Sequence, residues 1–192
     1  AALVAERELA REPGSTVIHN LITSKAVPEI IRENGGEPVR TRVGHSFIKA
    51  KMAETNAVFG GEHSAHYYFR DFWRADSGML AAMHVLAALG QQDKPLSEMM
   101  AKYNRYAASG EINSRLDSAE AQADRTEAVV KAFADRAENV DRLDGVTVEL
   151  KDGNWFNVRA SNTEPLLRLN VEADTQEAVD ALVKEILAII RA

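Results

Sequence analysis

The sequence predicts an α/β protein in two parts: a mixed α/β domain over residues 1–108, then a small α+β domain over 109–192. Three observations lead there. Short β-branched runs alternate with helical spacing through residues 16–89, which argues for mostly parallel strands layered with helices. Near the other end, strands follow one another through short turns between two helices. Between these patterns, residues 91–111 loosen into polar sequence, and the boundary falls near Ser109-Gly110.

The elements follow in order. Leu3, Val4 and Leu9 mark a first amphipathic helix, ended at Pro13-Gly14. TVIHNL (16–21) is a β-branched strand. Val27, Ile30 and Ile31 recur at helical spacing, and Gly35-Gly36 stops that helix. EPVRTR (37–42) is a second strand, and residues 45–55 form a helix with Ser46 as its cap. NAVFGGE and HYYFRDF are the third and fourth strands, so residues 60–68 read as one extended run. A long apolar helix spans Ser77 to Leu89, capped by Asp76 or Ser77. LSEMMAKYNRY is a further helix. Beyond the boundary come a strand at 111–116, a helix at 124–137, strands at 146–150, 155–161 and 166–173, and a helix at 175–191. Asp174 and Glu177 resemble a capping box for the last helix. Val179, Leu182, Val183, Ile186, Ile189 and Ile190 form its apolar stripe.

Composition excludes several function classes. The hydrophobic share is 45%, enough for a packed core in 192 residues. The net charge is -6, which argues against nucleic-acid binding, since that needs a basic footprint. Small anions remain suitable ligands. There is no cysteine, hence no disulfide framework and no thiolate metal site. No apolar run reaches the ~20 residues of a membrane span. The N-terminal stretch is charged throughout and lacks a signal-peptide core. These features place the chain in a reducing, cytoplasmic setting without a membrane partner.

Two stretches carry chemistry. The first is FGGEHSAHYYF (59–69). In an extended run, Glu62, Ser64 and His66 share one face. A carboxylate, a hydroxyl and an imidazole in a row suit a polyol, the carboxylate accepting two neighbouring hydroxyls. Gly60 and Gly61 allow a ligand close to the backbone. The same residues also fit a solvated edge strand. The second is RASNTEP (159–165), a turn between two apolar strands. Arg159 brings a forked guanidinium, Ser161, Asn162 and Thr163 bring donors, and Arg168 adds charge from the next strand. Arg159 reads as an exposed ligand contact. A plain hairpin turn fits this stretch too. His45, in VGHSFIK (43–49), is either a ligand contact or a helix-start residue. His19 and His84 read as packing residues, and Trp73 and Trp155 as core or interface aromatics. LDGV and KDGN are turns.

Three of these motifs resemble one family. GGEHSAH resembles the sugar-recognition loop of the α-D-phosphohexomutases, VGHSFIK their glycine-histidine segment, and RASNTEP their C-terminal phosphate loop. Order and spacing agree across nearly the whole chain. The likeness is strongest to the phosphomannomutase/phosphoglucomutase branch. Phosphoglucosamine mutases, which tend to carry glycine at Asn162, come second. The resemblance implies the third domain, lacking its first strand, and the whole fourth domain of a four-domain enzyme. That enzyme passes phosphate from a phosphoserine to a hexose phosphate through a bisphosphosugar, with Mg²⁺ assisting and a bisphosphosugar as activator. By resemblance, Glu62, Ser64 and His45 contact the sugar. His66 is a candidate general base near the reacting oxygen. Arg159, Ser161, Asn162, Thr163 and Arg168 hold the non-reacting phosphate.

The sequence also departs from the family. The serine loop and the Asp-Gly-Asp metal loop are absent, so the metal site lies outside this chain, and the chain alone is expected to be inactive without the N-terminal domains. Ile22 stands where the family often has lysine, with Lys25 three residues on. His63 and Ala65 replace methionine and glycine. A stand-alone phosphosugar-binding module is the alternative, and an upstream serine loop in the intact gene would decide against it.

Overall fold

The structure, a computed structural model, describes residues 1–161 and 164–192. It divides into two compact units, Ala1–Arg105 and Tyr106–Ala192. The division falls ahead of Ser109-Gly110 because Ala107 and Ala108 already pair with a strand of the second unit.

The first unit begins with helix α1 (Ala2–Arg11) and strand β1 (Thr16–Asn20), followed by α2 (Ala26–Glu33), β2 (Glu37–Thr41), α3 (His45–Thr55) and β3 (Phe59–Gly61). β1 pairs parallel with β2 on one side and with β3 on the other. β4 (Tyr67–Phe69) pairs antiparallel with β3 and with the edge strand β5 (Ala75–Asp76), so the five-stranded sheet is mixed, in the order β2-β1-β3-β4-β5. α4 (Gly78–Gly90) and α5 (Leu96–Ala101) complete the unit. Ser77, not Asp76, caps α4 by accepting from the Leu80 N–H.

Ile48 and Met52 on α3 pack against Ile18 and Tyr68 in one buried cluster. Gly60 makes that packing possible. A Cβ there would sit 2.8 Å from Ile48 Cγ2 and 3.1 Å from Met52 Sδ. Its glycine therefore serves helix–sheet packing, and not the approach of a ligand that the sequence suggested. Ile22 is buried. His19 and His84 are packing residues: burial pushes His19 down to about 4, and His84 stacks on Phe69 with ring centroids 5.5 Å apart. Trp73 is not a core residue, because it sits on a left-handed turn (φ 53°) with 82% of its surface exposed.

The second unit is a six-stranded antiparallel sheet backed by two helices. Its elements are β6 (Ala107–Ala108), β7 (Ile112–Arg115), α6 (Ala119–Phe133), β8 (Ala137–Asp141), β9 (Val146–Leu150), β10 (Trp155–Ala160), β11 (Leu166–Ala173) and α7 (Gln176–Ile190). β11 pairs with β10 on one side and with β6 and β7 on the other; β9 and β8 follow β10. Phe156, Val158, Leu167, Leu169 and Val171 pack with Phe133, Val179, Leu182 and Ile186 of the helices. Alternation then puts Trp155, Asn157 and Arg159 on the opposite face, beside Glu172, Asn170 and Arg168. Trp155 is buried there and donates its indole N–H to Glu172, 2.8 Å away. Thr175, not Asp174, caps α7, accepting from the Ala178 N–H. The helix expected at 124–137 begins earlier, capped by Ser118, and stops at Phe133 so that β8 can form the sheet edge.

Candidate functional site

Residues 60–68 are not one extended run. β3 and β4 form a hairpin, and residues 62–66 turn the chain back on itself. The Glu62 N–H donates to the His66 carbonyl at 3.0 Å, and the Ala65 N–H to the Glu62 carbonyl at 3.2 Å. Ala65 adopts φ 65°, a left-handed conformation that costs an L-residue roughly 1–2 kcal/mol. The physical reason is the pairing of Gly61 with Tyr67, which requires the chain to reverse within five residues.

The hairpin still brings the expected side chains together. Glu62, Ser64, His66 and His45 all line one cavity of about 510 Å³, with Lys49, Tyr68 and Asp76. His45 is the first residue of α3. The helix is entered through Gly44 (φ 131°), with no side-chain cap, so Ser46 does not cap it. Lys49 lies one turn further along α3, on the same side as His45.

Glu62 is 5% exposed, and its carboxylate is held from three elements. Tyr68 donates its hydroxyl to Oε1 at 2.6 Å. The Asn20 amide donates to Oε2 at 3.3 Å, and the Gly44 N–H to Oε2 at 3.1 Å. Asn20 is itself fixed by Thr23, whose hydroxyl donates to Asn20 Oδ1 at 2.6 Å. Three of roughly four lone-pair sites are thus filled, and one is left on Oε1. The carboxylate has room for one ligand hydroxyl, where the sequence suggested two. Burial pushes the Tyr68 hydroxyl up, and its bond to Glu62 pushes it further.

His66 Nδ1 is 2.7 Å from Asp76 Oδ2, and Asp76 Oδ1 accepts the Tyr67 N–H at 2.7 Å. The hydrogen bond to Asp76 raises the imidazole above its ordinary value. Partial burial works to raise the Asp76 carboxyl, but the bonds from His66 and from the Tyr67 amide outweigh it and hold it below the usual range. With Nδ1 turned to the carboxylate, Nε2 is the nitrogen left for a ligand. Asp76 is the residue that sequence reasoning missed, having read it only as a helix cap. It reaches His66 because β5 pairs with β4, placing Asp76 opposite Tyr68, and nothing in the local sequence announces that pairing.

The second unit carries the other group. Arg159 and Arg168 occupy directly opposed positions on β10 and β11. Like charges so placed repel. Arg159 is only 6% exposed, a correction to its reading as an exposed contact. The Nε atoms of Arg159 and Arg168 are buried and have no hydrogen-bond partner among the described residues. Arg168 Nη2 donates to Ser161 Oγ at 3.3 Å, and the Ser161 N–H closes the turn onto the Leu166 carbonyl at 2.8 Å. Asn162 and Thr163, also expected here, lie outside the described residues. Two opposed arginines whose buried Nε–H groups have no partner among the described residues present donors suited to an anion. Among the described residues no group of three or more His, Asp or Glu side chains is placed to hold a metal ion. Among them, too, no helix is long and apolar enough to cross a membrane.

Comparison with known proteins follows the same division. Residues 1–106 match the family described as Phosphoglucomutase/phosphomannomutase, alpha/beta/alpha domain III, and residues 111–189 match its C-terminal domain. The chain is 40% identical over 189 residues to a phosphomannomutase of Methanocaldococcus jannaschii, covering 98% of this chain and 41% of that protein. It is 39% identical over 192 residues to a phosphomannomutase of Escherichia coli, again covering 98% and 41%. A crystal structure of a phosphoglucomutase/phosphomannomutase family protein from Burkholderia thailandensis superposes with a TM-score of 0.81 at 30% identity, over 99% of this chain and 41% of that one. The chain therefore spans about two fifths of the length of these relatives.

Proposed function

The chain belongs to the phosphoglucomutase/phosphomannomutase family as its domain III and C-terminal domain, and on that premise we propose that it is the substrate-recognising part of a phosphohexomutase. The intact enzyme interconverts hexose 1-phosphate and hexose 6-phosphate, with mannose or glucose as the sugar. Phosphate moves from a phosphoserine of the N-terminal domains to the free sugar hydroxyl, giving a bisphosphosugar, and the other phosphate returns to the serine. Mg²⁺ assists at that serine, and a bisphosphosugar serves as activator. The setting is cytoplasmic.

The observation that carries this reading is the cavity where Glu62, Ser64 and an Asp76-held His66 meet. Glu62 Oε1 accepts one sugar hydroxyl, and Ser64 takes a second. His66 in its neutral form receives, at Nε2, the proton that the attacking sugar hydroxyl loses as its oxygen bonds to phosphorus. Asp76 stabilises the imidazolium so formed, and the proton returns when the step runs backwards. In the second unit, Arg159, Arg168 and Ser161 receive the phosphate that is not reacting. Binding energy from that remote group orients the reacting end.

A coupled assay with glucose 1-phosphate and its bisphosphate activator tests the division of labour. A full-length protein carrying these residues as its last two domains should turn over, and the 192-residue chain alone should not. Turnover by the chain alone, surviving repurification, would contradict the assignment of the nucleophile to the N-terminal domains.

A further inference from the structure

The two arginines of the second unit face a carboxylate of their own chain. Ser109 is tied to β11 twice: its N–H donates to the Val171 carbonyl at 2.9 Å, and its hydroxyl accepts the Val171 N–H at 2.9 Å. Gly110 then turns the chain through φ 66°, and Glu111 follows at the entrance to β7. Its Oε2 lies 3.6 Å from Arg168 Nη1 and 4.0 Å from Arg159 Nη2. A carboxylate bonded to a guanidinium closes to about 2.7–2.9 Å. Glu111 stands back from both, so it balances charge without filling the donors. A second carboxylate near the pair is that of Glu164, whose Oε2 is 3.7 Å from Arg168 Nη2 on a side chain 58% exposed.

We propose that Glu111 is a built-in counter-ion that competes with phosphate for the arginine pair and so keeps its hold weak enough to release. This rests on the reading of Arg159 and Arg168 as the phosphate site. In the proposed reaction the bisphosphosugar turns over between its two phosphoryl transfers, so the phosphate held here leaves once in every cycle. Two partly buried arginines without a counter-charge would hold a dianion through that step. A fixed carboxylate beside them offsets their attraction while the site is empty and repels the phosphate when it is full.

The experiment is a titration of the 192-residue chain and of Glu111→Gln with inorganic phosphate and with mannose 1-phosphate, followed by NMR. A phosphate monoester passes from one charge to nearly two around pH ~6, so mannose 1-phosphate is titrated on both sides of that value. Glu111→Gln should tighten binding by about five-fold or more, and more for the dianion than for the monoanion. Glu111→Ala should move the affinity in the same direction, which separates loss of charge from loss of shape. If wild type binds phosphate and both variants bind it equally or less well, Glu111 is a support for the arginines and the proposal is overturned, while the phosphate site stands. If neither wild type nor variants bind, the phosphate reading falls and takes this proposal with it.

Discussion

His66 Nδ1 and Asp76 Oδ2 lie 2.7 Å apart, joining the β3–β4 hairpin to the residue just before the cap of α4. The pair sets both the charge and the orientation of the imidazole. Asp76→Asn should therefore lower the pKa of His66, read from its Cε1–H shift. In an intact mutase it should lower kcat by up to roughly 10²-fold, since the base loses the group that holds its tautomer. A full kcat in that variant would remove His66 from the proton transfer.

Two histidines give the chain opposite pH dependences. His66 is raised when folded, so its contribution to stability is complete below its unfolded value, near 6.5, and is lost as pH rises through the folded value. His19 is lowered to about 4, so its contribution is present above 6.5 and is lost as pH falls from there toward 4. The melting temperature should pass through a maximum near neutrality. His66→Gln should flatten the alkaline limb and leave the acid limb; an unchanged alkaline limb would contradict the ion pair.

Ala65 holds a left-handed φ of 65°, a conformation that glycine adopts without strain. Ala65→Gly should relieve that strain and stabilise the chain by up to about 1 kcal/mol, net of the extra freedom glycine has when unfolded. Denaturant melts of the two proteins decide it. A clear loss of stability would mean that the Ala65 methyl packs to advantage.

Glu62→Gln should cost about 1–3 kcal/mol of stability, because the amide presents N–H groups to donors that the carboxylate accepted. Binding of mannose and glucose phosphates should weaken together, since the C3 and C4 hydroxyls are alike in both. Loss of one sugar alone, measured by competition, would place Glu62 elsewhere on the ring.

Much of the fold was legible because its signals are local. The stripe from Val179 to Ile190 reads directly as α7, and the β-branched run at 16–20 as β1. β8 was not legible, since an edge strand reading Ala-Glu-Asn-Val-Asp shows no apolar alternation and follows a helix without a break. The site was half legible. The residue types at 62–66 announced a polar ligand, but a hairpin and an extended run have the same composition. Asp76 and Tyr68 act through strand pairing, and Arg159 is buried by register, which no spacing along the chain reveals.

The central claim is that the chain recognises both parts of a hexose phosphate, the phosphate at Arg159 and Arg168 and the sugar at the Glu62–His66 hairpin. Side-chain and amide NMR of the 192-residue chain tests it most directly. Inorganic phosphate should shift the Nε–H signals of Arg159 and Arg168, with a dissociation constant on the order of millimolar, and added salt should weaken it. Mannose 1-phosphate should shift the same signals and, in addition, His66 and the amides of residues 62–66. Arginine signals that stay still under both ligands, or hairpin signals that ignore the sugar phosphate, would contradict the account.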